Sequence, residues 1–220
     1  MKKSVKMMII ILVIGGLLLL GLNVMKKEGN SKLKPNVEKT EISEETTGYK
    51  LDLRIFGTYE KKNINEIVMV TNFKNTDKEI TLSKINGTET VEKKYVVKED
   101  KNYEIIEGEL KEVKSVPYTN TDIYLEGVKN ITSVKEKGKE KLGEKEYTVY
   151  TGKVSKKIMN KMLDATDTNI KVSSDAETEV WLDGDYVYKV YYKADGITLY
   201  PSYFGYNKSR QIDLDMYKAN

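Results

Sequence analysis

Hydrophobic and polar residues follow two different patterns along this chain. Residues 7–25 form one uncharged, almost wholly apolar run that lies between Lys6 and Lys26. From Tyr49 almost to the C-terminus, apolar and polar residues instead alternate with a period of two, and turn-forming residues separate the runs. Such alternation is typical of strands that bury one face. The pattern predicts an antiparallel β domain over residues 48–218.

The N-terminal apolar run has the length of a membrane-spanning helix. Its 19 residues would reach about 28 Å as a helix, close to the ~30 Å hydrocarbon core of a bilayer. A cleaved signal peptide is the alternative, but no alanine precedes Ala165 to form a cleavage site, and no cysteine can carry a lipid. We therefore predict a membrane anchor in residues 1–25.

Orientation and location follow from the charges beside this run. Lys2, Lys3 and Lys6 precede it, and leading lysines favour a cytoplasmic N-terminus. We predict a single-pass protein of the cell membrane with an extracytoplasmic C-terminal domain, or a secreted protein if the segment is cleaved.

Residues 26–47 are polar, contain Pro35 and show no apolar periodicity, which predicts a flexible tether.

Turn signals divide the β domain into hairpins. Asn86-Gly87 lies between two β-rich runs and suits a two-residue type I′ turn. The register of that turn would place Lys84 opposite Glu89, Leu82 opposite Val91 and Glu79 opposite Lys94. Asp183-Gly184 and Asp195-Gly196 predict a three-strand meander from Thr178 to about Tyr203, with Trp181 facing Tyr186 across its first turn.

One segment breaks the β pattern. Ser155 is a suitable N-cap, and the apolar residues that follow are spaced for one face of a helix near residues 155–166; they are Ile158, Met159, Met162 and Leu163. Between Lys111 and Asn120 the sequence leaves open a second short helix or an irregular loop.

Missing residue types exclude several kinds of chemistry. The chain contains no histidine and no cysteine, which excludes thiol catalysis, histidine-based triads, disulfides and ordinary zinc or copper sites. Glu177 and Glu179 share one strand face and would suit acid/base catalysis, but 34 acidic residues make such pairs common by chance. We expect no enzyme activity, no catalytic residue, no metal and no cofactor.

Charge distribution argues against a nucleic-acid partner. Three of the 37 basic residues precede the apolar run, so residues 26–220 hold 34 basic and 34 acidic side chains. Nucleic-acid binding needs an excess of basic residues on one face.

The tyrosine content is unusual, with 16 tyrosines against three phenylalanines. Seven of them lie between Tyr186 and Tyr206, where they would line a binding groove or simply cover a half-exposed sheet.

The order of elements resembles a known family. A long antiparallel sheet, one helix before a final meander, and the Val180-Trp181-Leu182-Asp183-Gly184-Asp185 turn followed by Tyr188-Lys189-Val190 are similar to the LolA/LolB and LppX type of lipoprotein carriers. The resemblance implies a mainly β (α+β) half-barrel, a curved antiparallel sheet with one or two short helices whose hollow holds lipid or acyl chains.

Two features differ from that family. No helix is evident before the first strand, and the lipidated cysteine of its membrane-attached members is missing. An anchor helix would substitute for the lipid. No pocket residue of the family can be matched to this chain, so none is transferred.

These observations predict a non-enzymatic bacterial envelope protein that binds a lipid or another amphiphile in the concave side of its sheet. The candidate ligand-binding residues are Met159, Met162, Leu163, Trp181 and Tyr188. One alternative is a protein-interaction or sensor domain that binds an envelope protein at the cell surface. Another is a glycan-processing enzyme that uses carboxylates.

Overall fold

A computed structural model of the chain describes residues 48–73, 77–184, 186–205 and 214. These residues form one antiparallel sheet and two helices, α1 (Ile123–Lys129) and α2 (Lys156–Asp164). The strands are β1 (Gly48–Tyr59), β2 (Lys62–Phe73), β3 (Lys78–Asn86), β4 (Glu89–Lys98), β5 (Lys101–Ile106), β6 (Glu109–Glu112), β7 (Thr132–Leu142), β8 (Lys145–Val154), β9 (Ala176–Asp183), β10 (Tyr186–Ala194) and β11 (Ile197–Phe204). The predicted mainly β fold is confirmed.

The sheet consists of two meanders that join at its centre. Its order is β6-β5-β4-β3-β2-β1-β11-β10-β9-β8-β7, so β1 pairs with β11 and joins the first strands to the last. The end strands β6 and β7 do not pair with each other, and the sheet formed by the described residues is therefore open rather than closed into a barrel. Helix α1 follows β6, and α2 lies between β8 and β9.

The two faces of the sheet have different surroundings. Along β1, Leu51, Leu53 and Ile55 are fully buried, whereas Arg54 and Phe56 on the opposite face are exposed. The buried side chains join those of α1 and α2 in one large apolar cluster. We call this side the helix-covered face and the other side the outer face. Burial of each Leu or Ile stabilises the fold by roughly 1.5–3 kcal/mol, so this layer holds helices and sheet together.

The hairpin between β3 and β4 is present, but its predicted register is wrong. Asn86 pairs with Glu89, Lys84 with Val91 and Leu82 with Lys93. The turn is therefore Gly87-Thr88, and Gly87 has a φ of 63°. A positive φ at the first central position is the pattern of a type II′ turn, in which glycine takes that place. Because the pairing shifts by two residues, each side chain keeps its predicted face.

The final meander of β9, β10 and β11 is confirmed. Asp195 and Gly196 both have positive φ, 48° and 79°, as a type I′ turn requires. The predicted contact of Trp181 with Tyr186 is wrong, since Trp181 pairs with Lys189. Asp183 pairs with Tyr186, so the first turn lies after Asp183 and not at Asp183-Gly184 as predicted, which moves Tyr186 away from Trp181. A bulge between Val187 and Lys189 then shifts the ladder by one further residue.

The predicted helix near residues 155–166 is confirmed as α2. Ser155 caps it, and its hydroxyl oxygen accepts a hydrogen bond of 3.4 Å from the amide of Ile158. The segment between Lys111 and Asn120 is the end of β6 followed by irregular structure, and α1 begins only at Ile123.

The predicted anchor, residues 1–25, and the predicted tether, residues 26–47, lie outside the described residues. Within the part of the chain that the structure describes, no helix combines the length and the apolar character needed to cross a membrane.

Candidate functional site

The candidate residues on α2 lie between that helix and the sheet. Met159, Met162 and Leu163 are at most 1% exposed, because the helical spacing places them on one side of α2. They belong to the large apolar cluster, together with strand residues from both meanders. Neither of the two cavities described below is lined by these three side chains. Their side chains are shielded from solvent by the neighbouring helix and strand residues.

Polar contacts hold α2 in place at several points. The Asn160 side chain exchanges two hydrogen bonds with the backbone of Val172, of 2.9 and 2.8 Å. Lys161 Nζ lies 3.0 Å from Glu126 Oε1 on α1, an ion pair that connects the two helices. Because it is exposed, this pair contributes little to stability.

Helix α1 is held by a direct contact with β10. The Tyr192 hydroxyl donates a hydrogen bond of 2.7 Å to the carbonyl oxygen of Tyr124. A Cβ atom at Gly127 would lie 2.6 Å from the same hydroxyl oxygen, so only glycine permits this close approach. Tyr192 is therefore one of the contacts by which the sheet positions α1.

A buried charged group lies beside this layer on β2. The carboxylate of Glu66 accepts a hydrogen bond of 2.5 Å from the Tyr118 hydroxyl and forms an ion pair of 3.1 Å with Lys84. Burial and the neighbouring Glu66 raise the pKa of Tyr118 well above its ordinary value, so the phenol remains a donor. Burial disfavours the charge of Lys84, but Asp167 and Glu66 outweigh that effect and raise its pKa.

A second cluster of buried polar side chains connects β1 and β2 to the segment before α1. The Tyr49 hydroxyl lies 2.7 Å from the Thr121 hydroxyl, which donates a hydrogen bond of 3.1 Å to Asn72 Oδ1. Two polar atoms in this region, Asn72 Nδ2 and the Tyr124 hydroxyl, have no hydrogen-bond partner among the described residues. An unpaired buried polar group costs about 1–3 kcal/mol, and each such group calls for an explanation.

The other two candidates, Trp181 and Tyr188, lie on the outer face. The Trp181 indole donates a hydrogen bond of 3.1 Å to Glu140, and the ring of Tyr188 stacks on that of Tyr147 with centroids 4.4 Å apart. Lys189 Nζ lies 4.2 Å from the Trp181 ring centroid, a cation–π contact. The five candidates thus do not form one site, because the sheet separates Trp181 and Tyr188 from the α2 residues.

A cavity of about 620 Å³ opens on the outer face beside this aromatic group. We call it the outer cavity. It is lined by Phe56, Ser133, Lys135, Thr151, Gly152, Lys153, Glu177, Thr178, Glu179, Tyr191, Lys193 and Thr198. A smaller cavity of about 350 Å³ lies at the ends of β8, β10 and β11 beside Tyr147, Tyr188 and Phe204.

The carboxylates do not assemble a metal site in the described part of the chain. Glu177 and Glu179 both line the outer cavity, and Glu179 forms an ion pair of 3.1 Å with Lys137.

The tyrosines of the final meander lie on both faces of the sheet. Tyr192 and Tyr203 are buried in the layer under the helices, whereas Tyr191 and Tyr200 stack on the outer face.

Sequence reasoning missed Glu66, Tyr118 and Tyr124. Glu66 has the same strand phase as the apolar residues Val68 and Val70, and a carboxylate on an apolar strand face is a readable sign of a buried polar contact. Nothing in the local sequence connects it with Tyr118, which is 52 positions away.

Comparisons with known proteins reveal a shared fold. No family model matches the chain, and no curated protein matches it in sequence. The crystal structure of LprF from Mycobacterium bovis is similar with a TM-score of 0.58 and 8% identity, over 84% of this chain and 98% of LprF. The lipoprotein LppX of Mycobacterium tuberculosis has a TM-score of 0.53 and 14% identity, over 81% of this chain and 96% of LppX. The predicted resemblance to the LppX type is confirmed at the level of the fold.

Proposed function

We propose that this domain binds a lipid or another amphiphile, without catalysis, between the helix-covered face and its two helices. The observation that carries the proposal is a wide apolar layer that contains two buried polar atoms without a partner, Asn72 Nδ2 and the Tyr124 hydroxyl. A bound molecule with an apolar chain and a polar end would pack its chain against the apolar layer and would form hydrogen bonds to the polar atoms through its polar end. The LppX-type fold supports the same assignment.

The binding energy would come from apolar burial. Met159 and Met162 are suited to this role, since their flexible, polarizable side chains adapt to irregular neighbours. At Asn72 Nδ2 the unpaired atom is a donor, and the Tyr124 hydroxyl can donate as well. Acceptor oxygens on the ligand, such as ester or acyl carbonyls, would accept hydrogen bonds from these donors.

Ligand entry would require the helices to separate from the sheet, because Met159, Met162 and Leu163 of α2 are fully buried. Both helices are short, with seven and nine residues, and short helices depend on packing for their stability. The segments around them are joined to the sheet by a few polar contacts, among them Tyr118 with Glu66 and Lys84 with Asp167. Breaking these contacts would open the layer.

The proposed setting is the outer side of a bacterial cell membrane, with residues 7–25 as the anchor. There the domain would take an amphiphile from the membrane or from a partner protein and shield its apolar part from water.

Native mass spectrometry of the full chain released from detergent micelles tests the binding. Wild-type protein should retain a lipid adduct. Met162→Trp crowds the layer under α2 and should remove most of that adduct, while its circular dichroism spectrum stays that of the wild type. Met69→Trp is the matched control, because Met69 is 36% exposed on the outer face. Equal loss in both variants, or no adduct in the wild type, would contradict the proposal and favour a protein-interaction domain.

A distance measurement tests the opening of the layer. Because the chain has no cysteine, Lys157→Cys on α2 and Met69→Cys on β2 would carry two spin labels at known positions. Lipid should lengthen the distance between the labels. An adduct with an unchanged distance would show that the ligand binds elsewhere.

A further inference from the structure

The outer face presents a regular ladder of side chains across neighbouring strands. In one row Phe56 pairs with Thr198, and Thr198 with Lys193. The row continues from Lys193 to Glu177 and then to Lys153. These residues form the floor of the outer cavity, which places aromatic, hydroxyl and charged groups side by side.

A rigid aromatic group borders this row. The rings of Tyr191 and Tyr200 stack with centroids 4.1 Å apart and an interplanar angle of 8°, and Trp181 contacts Tyr191 edge-on at 5.2 Å. These contacts fix Tyr191 before any ligand binds. Phe56 also lines the cavity and is 41% exposed. A flat, partly apolar molecule would find aromatic rings among the lining residues.

Strand β7 bends at the cavity and forms its wall. The ladder between β7 and β8 is interrupted twice, between Thr132 and Lys135 and between Glu136 and Gly138, and such bulges bend a strand. Ser133 has a φ of 52°, unusual for a residue with a side chain. The bend brings Ser133 and Lys135 to the rim.

Positive charge predominates around the cavity. Lys135, Lys153 and Lys193 line it, and none of the three forms an ion pair with a described residue. Of the two acidic lining residues, Glu179 is already paired with Lys137. An anionic group on a ligand would therefore be attracted to the lysines.

The lining separates this site from the apolar layer. Among the described residues that line it, none is Val, Ile, Leu or Met, so an acyl chain would find no aliphatic wall. Its volume of about 620 Å³ falls in the range of small-ligand sites. A sugar ring fits this chemistry, because its C–H face packs on an aromatic ring while its hydroxyl groups bond to Thr, Ser, Lys and Glu.

We propose that the outer cavity binds an acidic saccharide, with a sugar ring packed on Phe56 and Tyr191 and its anionic group near Lys135, Lys153 and Lys193. This site lies on the opposite side of the sheet from the proposed lipid site. The domain would then bind two ligands at once, an amphiphile under the helices and a glycan on the outer face.

Isothermal titration calorimetry on the purified full chain tests the assignment with three probes, namely trigalacturonic acid, neutral maltotriose and inorganic phosphate. Trigalacturonic acid should bind, and added salt should weaken it. Phe56→Ala should raise its dissociation constant about tenfold, as loss of an aromatic contact at a binding site does. Phe204→Ala is the matched control, because Phe204 is 38% exposed on the same face and lies outside the cavity.

A second pair of variants tests the charge. Lys193→Gln should weaken trigalacturonic acid about threefold, whereas Lys101→Gln, on the distant strand β5, should not. Absence of binding, or an affinity that Phe56→Ala leaves unaltered, would overturn the proposal. Equal affinity for maltotriose would overturn the acidic assignment, and equal affinity for phosphate would overturn the saccharide.

Discussion

The hydroxyl of Tyr118 lies 2.5 Å from Oε2 of Glu66, and both residues are buried. This hydrogen bond joins the irregular segment before α1 to β2. Tyr118 has a φ of 62°, a conformation that costs a residue with a side chain on the order of 1 kcal/mol or more. The buried bond to a carboxylate offsets that cost, and it holds the segment beside the proposed lipid layer.

Removing this hydroxyl should destabilise the domain. Tyr118→Phe leaves Glu66 with Lys84 as a partner but deletes its buried phenol donor, so we expect a loss of about 1–3 kcal/mol in the free energy of unfolding. Chemical denaturation measures it. Tyr103→Phe is the control, because the structure records no hydrogen bond from the Tyr103 hydroxyl to a described residue. An equal effect of both variants would show that the Tyr118 bond contributes nothing particular.

Alanine at Gly127 should also destabilise the domain, against the usual trend. In a helix, Gly→Ala ordinarily stabilises by up to about 1 kcal/mol. Here the new Cβ atom would lie 2.6 Å from the Tyr192 hydroxyl and 2.7 Å from its ring carbon Cζ, and such overpacking costs about 1–3 kcal/mol. Thermal melts of Gly127→Ala, of Tyr192→Ala and of the double variant give the coupling between the two sites. A stabilised Gly127→Ala protein would contradict the close contact.

Elements with strong local signals were predictable from the sequence. The apolar stripe and the Ser155 cap of α2 lie within one short segment, and the Asp195-Gly196 turn needs only two residues. Helix α1 has no such signal. It is seven residues long, includes Gly127, and the side chain of its N-cap residue Asp122 makes no hydrogen bond to the helix backbone. It forms because Ile123, Tyr124 and Val128 pack on the sheet, which is a tertiary effect that local propensity does not contain.

The candidate site was only partly predictable for a related reason. The run Val180-Trp181-Leu182 is apolar at every position, so its alternation does not say which residue faces the helices. The bulge after Val187 also interrupts the in-and-out alternation along β10. Regular alternation would place Val187 and Val190 on opposite faces, yet both are buried in the same apolar cluster. The local sequence therefore does not show that the sheet lies between Trp181 and Met162.

Asn86→Val distinguishes the observed hairpin turn from the predicted one, and Gly87→Val is the reference, because both turns need a positive φ at Gly87. Gly87 has a positive φ, so Gly87→Val should destabilise the domain by about 1 kcal/mol or more. Asn86 pairs with Glu89 as a strand residue, and Asn86→Val should be tolerated because valine suits a strand. Thermal melts measure both. If Asn86→Val were the more harmful change, the Asn86-Gly87 turn would be correct after all.

The chain should stay in the membrane through residues 7–25. This uncharged run has neither an alanine cleavage site nor a cysteine, so we expect the intact N-terminus in the membrane fraction and resistance to extraction by salt. Cell fractionation followed by N-terminal sequencing measures this. A soluble mature form that begins between Leu22 and Glu28 would establish a signal peptide instead.

Acid should weaken one loop contact in a defined pH range. The carboxylate of Asp195 accepts hydrogen bonds from Ser173 and Ser174, with the hydroxyl of Ser174 at 2.5 Å and that of Ser173 at 2.8 Å. The Ser174 hydroxyl and the Ser173 amide are the main causes that lower the pKa of Asp195 from 3.8 to about 2. A group whose pKa is lower in the folded state stabilises that state above its unfolded pKa.

The contribution of the Asp195 carboxylate to the stability of the domain should be complete above about pH 5 and should disappear as the pH falls from about 4 to about 2. Melting temperatures of the wild type and Asp195→Asn should therefore differ at neutral pH and converge in acid. A difference that stays constant down to about pH 2 would show that the charge of Asp195 does not stabilise the loop.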